Sequence, residues 1–194
     1  MRKAEINRKT LETNISLQLN LDGEGKFSGT SGIGFFDHML ELFTKHSGMD
    51  LHLQAEGDLE VDYHHTVEDI GIALGQAIKE ALADKKGICR YGFMYLPMDE
   101  ALARVCLDLS GRPFLVYNAQ FWTSQVGNFD VELAEEFLRA VVNNAAITLH
   151  VEVLYGRNTH HILEAIFKGF GQALKKAVSI DSTAKGVPST KGQL

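Results

Sequence analysis

An α+β fold of two repeated halves, each a small β-sheet with two helices on one face and the halves packed as a layered sandwich, is what three features of this sequence predict. The chain repeats itself at a nearly constant offset, its shorter apolar segments alternate with polar residues, and four longer segments carry apolar residues at helical spacing. Helices with one apolar face must bury it. Laying two of them on one side of each sheet and pressing the halves together buries all four.

The repeat is read directly. "FFDHMLELFTKHSGMDLHL" parallels "LAEEFLRAVVNNAAITLHV" at an offset of 98, and "HHTVEDIGIALGQAIKEAL" parallels "HHILEAIFKGFGQALKKAV" at an offset of 96. The boundary falls near residues 88 to 92, giving halves of 1–90 and 91–180 and a polar tail, 181–194. "ISLQLNLDG" and "ARVCLDLSG" alternate as half-buried strands ending in turns, and "MDLHLQAEG" and "ITLHVEVLYG" also read as strands. "HMLELFTKH", "EFLRAVVNN" and the two segments that follow the His-His pairs read as helices.

Composition narrows the function classes. The sequence is 45% hydrophobic, enough for a core, and its net charge of −6 argues against a long nucleic-acid surface. No stretch approaches the roughly 18 apolar residues of a membrane span, and the first residues lack the apolar centre of a signal peptide, so a cytoplasmic protein is expected. Cys89 and Cys106 lack metal-type spacing and are expected to be reduced.

The chemistry concentrates in one motif written twice. "DYHHTVED" and "NTHHILEA" both contain His-His-x-x-Glu, and half of the 8 histidines fall inside them. If each motif opens its helix, His64 and Glu68 share a face, while His65 is turned about 100° from His64 and serves a different ion. One ion then takes His64, Glu68 and His161, and the other takes His160, Glu164 and His65. The repeat also aligns His38 with Glu136, which completes the sets with Glu136 on the first ion and His38 on the second. Four mixed nitrogen and oxygen ligands with open positions suit an octahedral Mn or Fe better than a closed structural zinc. The repeat leaves open whether both parts of a set come from one subunit or from neighbours. His52 and His150 sit in strand patterns and read as structural, and His46 ends a helix whose C-terminus favours it, with a supporting role at the site as the alternative.

Over almost its whole length the chain resembles the imidazoleglycerol-phosphate dehydratase family of histidine biosynthesis. The stretches that carry the resemblance are "RKTLETNISLQLNLDGEG", "GIGFFDHML", "DYHHTVEDIGIALG", "RYGFMYLPMDEAL", "DLSGRPF", "NTHHILEAIFKGFGQAL" and "PSTKG". The resemblance implies a hydro-lyase that removes water from imidazole glycerol phosphate to give imidazole acetol phosphate. It also implies two Mn2+ ions per active site and an octahedral homo-oligomer of twenty-four subunits with sites at subunit contacts. Many members carry His where this chain has Glu136, which implies altered metal affinity. No phosphatase domain accompanies the motifs, so one activity is expected.

The proton lost in this reaction sits on a carbon with no neighbouring carbonyl, so the imidazole ring must stabilise the charge, with the metals as Lewis acid and template. The resemblance assigns the acid/base role to Glu12, which the residues alone present as an exposed carboxylate on a strand. It likewise assigns phosphate binding to Arg90, Arg112, Lys168, Ser189 and Lys191, a cationic cluster in an acidic chain. The tail is expected to order around the phosphate, and Asp99 to orient a ligand histidine. A metal-dependent assembly protein would use the same histidines without a substrate. A nucleotide or RNA binder would need a phosphate loop or a basic aromatic stripe, and neither is present.

Overall fold

A computed structural model describes residues 2–183, 186–192 and 194; Ala184, Lys185 and Gln193 of the tail lie outside the described residues. The first half runs β1 (Lys3–Lys9), β2 (Thr13–Asn20), β3 (Phe27–Thr30), α1 (Gly34–Ser47), β4 (Asp50–Gly57) and α2 (His64–Leu82). The second runs β5 (Tyr91–Met98), β6 (Ala101–Asp108), β7 (Phe114–Asn118), β8 (Gln125–Val126), β9 (Phe129–Asp130), α3 (Glu132–Ala145), β10 (Thr148–Tyr155) and α4 (Thr159–Val178). The sheets have the same topology, β1-β2-β4-β3 and β5-β6-β10-β7, each antiparallel except for its last, parallel pair. Among the described residues the small hairpin of β8 and β9 has no counterpart in the first half. Among the described residues no helix is long and apolar enough to cross a membrane.

Period-two alternation places the core. Ile15, Leu17 and Leu19 of β2 point inward, as do Ala103, Val105 and Leu107 of β6. The register then stacks apolar residues across strands: Leu17 lies opposite Ile6 and Leu53, and Val105 opposite Met94 and Val151.

The helices meet across the halves. α2 packs on α3 and α1 on α4, while α2 also covers β1 and β2, and α4 covers β5 and β6. Two repeat-related glycines permit the close approach. A Cβ on Gly75 would stand 2.6 Å from the Val141 carbonyl oxygen, and one on Gly171 would stand 2.7 Å from that of Phe43. Aromatic rings close the seam: Phe36 meets Phe137 edge-on at 5.1 Å, Phe137 stacks on Phe167 at 5.6 Å, and Phe43 on Phe170 at 5.1 Å. Such pairs add about 0.5–1.5 kcal/mol each beyond their buried area. The core is therefore shared, and neither half closes its own helices.

The link between the halves is tightly bent. Ala83, Lys85 and Arg90 adopt positive φ without being glycine, at roughly 1–2 kcal/mol each. Backbone hydrogen bonds hold the strain: Cys89 N–H to Ser179 O, Arg90 N–H to Ala177 O, and Leu109 N–H to Arg90 O.

Candidate active site

Both motifs open their helices, and the same repeat position accepts a backbone N–H from the first turn of each, Asn158 as the N-cap of α4 and Asp62 from one residue before the Tyr63 N-cap of α2. Asp62 Oδ1 accepts from the His64 N–H at 2.7 Å, and Asn158 Oδ1 accepts from the N–H groups of His160 and His161. An Asx side chain two residues before the His-His pair satisfies N–H groups that the first turn leaves without partners. The cap thus starts the helix where the ligands begin.

Three candidate ligands come together where α1 meets α4. Nε2 of His38 and Nε2 of His160 each lie 3.0 Å from Glu164 Oε1, and one ligand atom from each residue falls within 4.8 Å of the others. The other carboxylate oxygen, Oε2, accepts from Lys168 Nζ at 2.6 Å, and Nζ also touches Met98 Sδ. Burial alone would raise the Glu164 pKa. Hydrogen bonds from Lys168, His38 and His160 outweigh it and hold the carboxyl at about 2. Two imidazole nitrogens and an ionised, buried carboxylate that share one point fit a divalent transition-metal ion.

The other expected set draws on α2 and α3, which pack on each other. His64 and Glu68 lie on the first turns of α2 and Glu136 on α3. Among the described residues this set does not close into a group as tight as the first. The remaining histidine of each motif turns to a carboxylate instead. His65 Nδ1 lies 2.9 Å from Asp58 Oδ2, with its Nε2 3.8 Å from Glu12, and His161 Nδ1 lies 2.7 Å from Glu100 Oε2, with its Nε2 3.7 Å from Asp99. Asp58 raises the His65 pKa and Glu100 that of His161, while the hydrogen bonds from His161 and from the Asn158 and Arg157 backbones lower Glu100 to about 2. Asp58 and Glu100 escape sequence reasoning because neither shares a helical or strand period with its histidine. Asp99 faces the other ring nitrogen.

Glu12 lies on the bend between β1 and β2 and not on a strand, because the Thr10 hydroxyl accepts from the N–H groups of Glu12 and Thr13 and turns the chain there. The bend is pinned to α2 through buried Asp69, which receives Arg8 at 2.8 Å and the Thr13 hydroxyl. His46 lies against α4, with Gln172 at 3.4 Å, and burial lowers its pKa. His52 pairs with Ser28 at 2.9 Å.

Four of the five residues assigned to phosphate line one cavity. Arg90, Arg112, Ser189 and Lys191 surround about 660 Å³ between the strand ends and the tail. Lys168 stands apart from it, on Glu164.

Comparison with known proteins matches this architecture. A family model described as imidazoleglycerol-phosphate dehydratase matches residues 31–174. An imidazoleglycerol-phosphate dehydratase of Acetivibrio thermocellus is 60% identical over 100% of this chain and 99% of its own, and one of Oceanobacillus iheyensis is 57% identical over 100% of both. The crystal structure of the Staphylococcus aureus enzyme superposes with a TM-score of 0.84 at 47% identity, covering 92% of this chain and 99% of that one. The Pyrococcus furiosus enzyme, solved in complex with (S)-C348, gives 0.83 at 36% identity over 97% of this chain and 100% of that one. With a shared fold, matching motifs and near-complete coverage, this chain belongs to the imidazoleglycerol-phosphate dehydratase family.

Proposed function

We propose that this chain dehydrates imidazole glycerol phosphate in histidine biosynthesis, using two Mn2+ ions at sites completed by neighbouring copies of the chain. The reaction class, a hydro-lyase acting on a phosphorylated imidazole, rests on family membership. The observation that carries the residue assignment is the convergence of His38 and His160, drawn from opposite halves, on one carboxylate oxygen of Glu164.

In this reading one set is His38, His160, Glu164 and His65, and the other is His64, Glu68, Glu136 and His161. Within one chain His65 and His161 turn away to Asp58 and Glu100. Each carboxylate holds Nδ1 and leaves Nε2 available, the arrangement that orients a ligand histidine. A second copy of the chain then supplies the missing fourth ligand to each set, so the active protein is a homo-oligomer with sites at subunit contacts, and the family resemblance extends this to a cytoplasmic assembly of twenty-four subunits. Bound Mn2+ supplies Lewis acidity and a template for the imidazole ring and the departing hydroxyl.

The protein groups divide the remaining work. Glu164, kept ionised by Lys168 and the two histidines, holds its charge across the neutral range. Glu12 is free of the tight ligand trio and stands beside His65, so it takes the role of proton carrier at the substrate carbons. Arg90, Arg112, Ser189 and Lys191 grip the phosphate and fix the distance from it to the imidazole. Lys168 supports Glu164, and its assignment to the phosphate rests on the family resemblance alone.

An assay of the Mn-loaded protein with imidazole glycerol phosphate, following formation of imidazole acetol phosphate, tests the reading. Turnover that disappears on chelation and returns with Mn2+ supports it. A fully metal-loaded assembly with no turnover overturns it in favour of a metal-dependent assembly protein.

A further inference from the structure

Arg90 does more than line the phosphate cavity. Its Nε and one terminal nitrogen donate to the two carboxylate oxygens of Asp108, at 2.7 and 3.1 Å, and its other terminal nitrogen donates to the Pro188 carbonyl at 2.8 Å. Three of the five guanidinium N–H groups are engaged, and the two that remain belong to the terminal nitrogens. The Arg90–Asp108 pair is largely shielded, with side chains 12% and 20% exposed. Buried Lys85 donates from Nζ to the carbonyl of Leu109, the neighbour of Asp108 in the chain, and its charge interacts with Asp108.

The backbone of Arg90 is equally constrained. It adopts φ 71°, with its N–H on Ala177 O and its carbonyl receiving Leu109 N–H. An arginine held at an unfavourable φ, clamped by a bidentate carboxylate and bonded to a carbonyl next to Ser189 joins three elements: the end of α4, the end of β6 and the tail.

We propose that Asp108 is a positioning residue for the phosphate site. Acting through Arg90, it sets the guanidinium plane so that one edge holds the tail at Pro188 and the remaining N–H groups meet the phosphate, which brings Ser189 and Lys191 into the same cavity. Asp108 itself touches no substrate. Lys85, bonded to the adjoining Leu109 carbonyl, offsets part of the charge that Asp108 would otherwise set against the phosphate dianion. The proposal rests on the reading of Arg90 as a phosphate ligand, and the experiment separates the two.

Steady-state kinetics and inhibition by inorganic phosphate are measured for Asp108→Asn, Asp108→Glu, Arg90→Gln and the Asp108→Asn/Arg90→Gln pair, with Mn content and amide exchange over residues 186–192. Asp108→Asn is expected to raise KM by about tenfold, the loss that one well-placed charged hydrogen bond brings. It should weaken phosphate inhibition in parallel, leave kcat within about twofold and metal content unchanged, and speed exchange in the tail. Asp108→Glu keeps the charge and the fold but moves the carboxylate outward, so it should raise KM as well, and it decides the matter if the Asn variant does not fold. In the double variant the Asn change should add nothing to the effect of Arg90→Gln. If Arg90→Gln raises KM while both Asp108 variants keep the parent KM, the positioning role is wrong and Asp108 serves stability alone. If Arg90→Gln itself leaves KM and phosphate inhibition unchanged, the phosphate reading of Arg90 falls first, and the role of Asp108 falls with it.

Discussion

Nε2 of His38, from the first half of the chain, lies 3.0 Å from Oε1 of Glu164, from the second half. The bond crosses the seam between α1 and α4, so the metal set and the packing of the halves depend on each other. Glu164→Gln replaces a carboxylate with a poorer ligand and should release or loosen one ion, measured as metal content beside turnover. Glu12→Gln should instead keep both metals and the assembly yet lose about 100-fold or more in kcat, the range for a general acid/base group. Near-normal turnover of Glu12→Gln with its metals bound would assign the proton to another group.

Chelation should shrink the particle. If His65 and His161 reach ions held by neighbouring copies, binding free energy is also association free energy. Light scattering before and after metal removal, and again after added Mn2+, should show a reversible fall in mass. A constant mass after proven removal would place every ligand within one subunit.

Lys191→Ala removes one cation from the cavity that it shares with Arg90 and Arg112. KM should rise strongly, by about tenfold or more, with metal content intact, as expected for loss of a charged phosphate contact. Unchanged KM and kcat would make the tail a bystander.

Gly171→Ala would set a Cβ 2.7 Å from the Phe43 carbonyl oxygen and 3.0 Å from the Ser47 nitrogen, both backbone atoms that cannot rotate away. α1 and α4 must then part, at about 1–3 kcal/mol, read as a lower Tm. The shift also moves His38 from Glu164, so metal affinity should fall with stability. A Tm equal to the parent's would show that the helix seam gives more easily than its geometry implies.

Tyr117→Phe should be neutral or stabilising, by about 1 kcal/mol, because the buried Tyr117 hydroxyl has no hydrogen-bond partner among the described residues. Burial, and secondarily the charge of Glu135, raises the pKa of this phenol well above its ordinary 10. The unfolded chain loses that proton first, so the native state binds more protons above pH 10 and its stability falls as pH rises past that point. Removing the hydroxyl removes this term, and the advantage of the Phe variant in denaturant melts should widen between pH 10 and 12. A variant less stable than its parent at every pH would reveal a partner for the hydroxyl.

Much of the fold is legible in the residues because it depends on local period. Alternation in "ISLQLNLDG" and "ARVCLDLSG" marks β2 and β6, and the motif helices begin within a residue of their His-His pairs, where Asp62 and Asn158 accept from the first N–H groups. Less was legible where the pattern is weak. β8 and β9 are two residues each, too short to show a period, and β1 and β3 carry few buried residues. The bend at Glu12 is not legible in the residues, because it is made by the Thr10 hydroxyl, a contact that no apolar pattern reports.

The sequence by itself determined the duplication, the pairing of His38 with Glu136, and the rule that adjacent histidines on a helix face different directions, since each follows from spacing along the chain or around one helix. Only the tertiary structure decided that His38 meets Glu164, that His65 meets Asp58 and His161 meets Glu100, and that Arg90 is bound to both Asp108 and the tail. These contacts join residues from 7 to 126 positions apart. They arise because α1 and α4, and the strand ends with the tail, are pressed together by burial of the shared core, which acts on whole faces and leaves no signature at the individual polar residues it brings into contact.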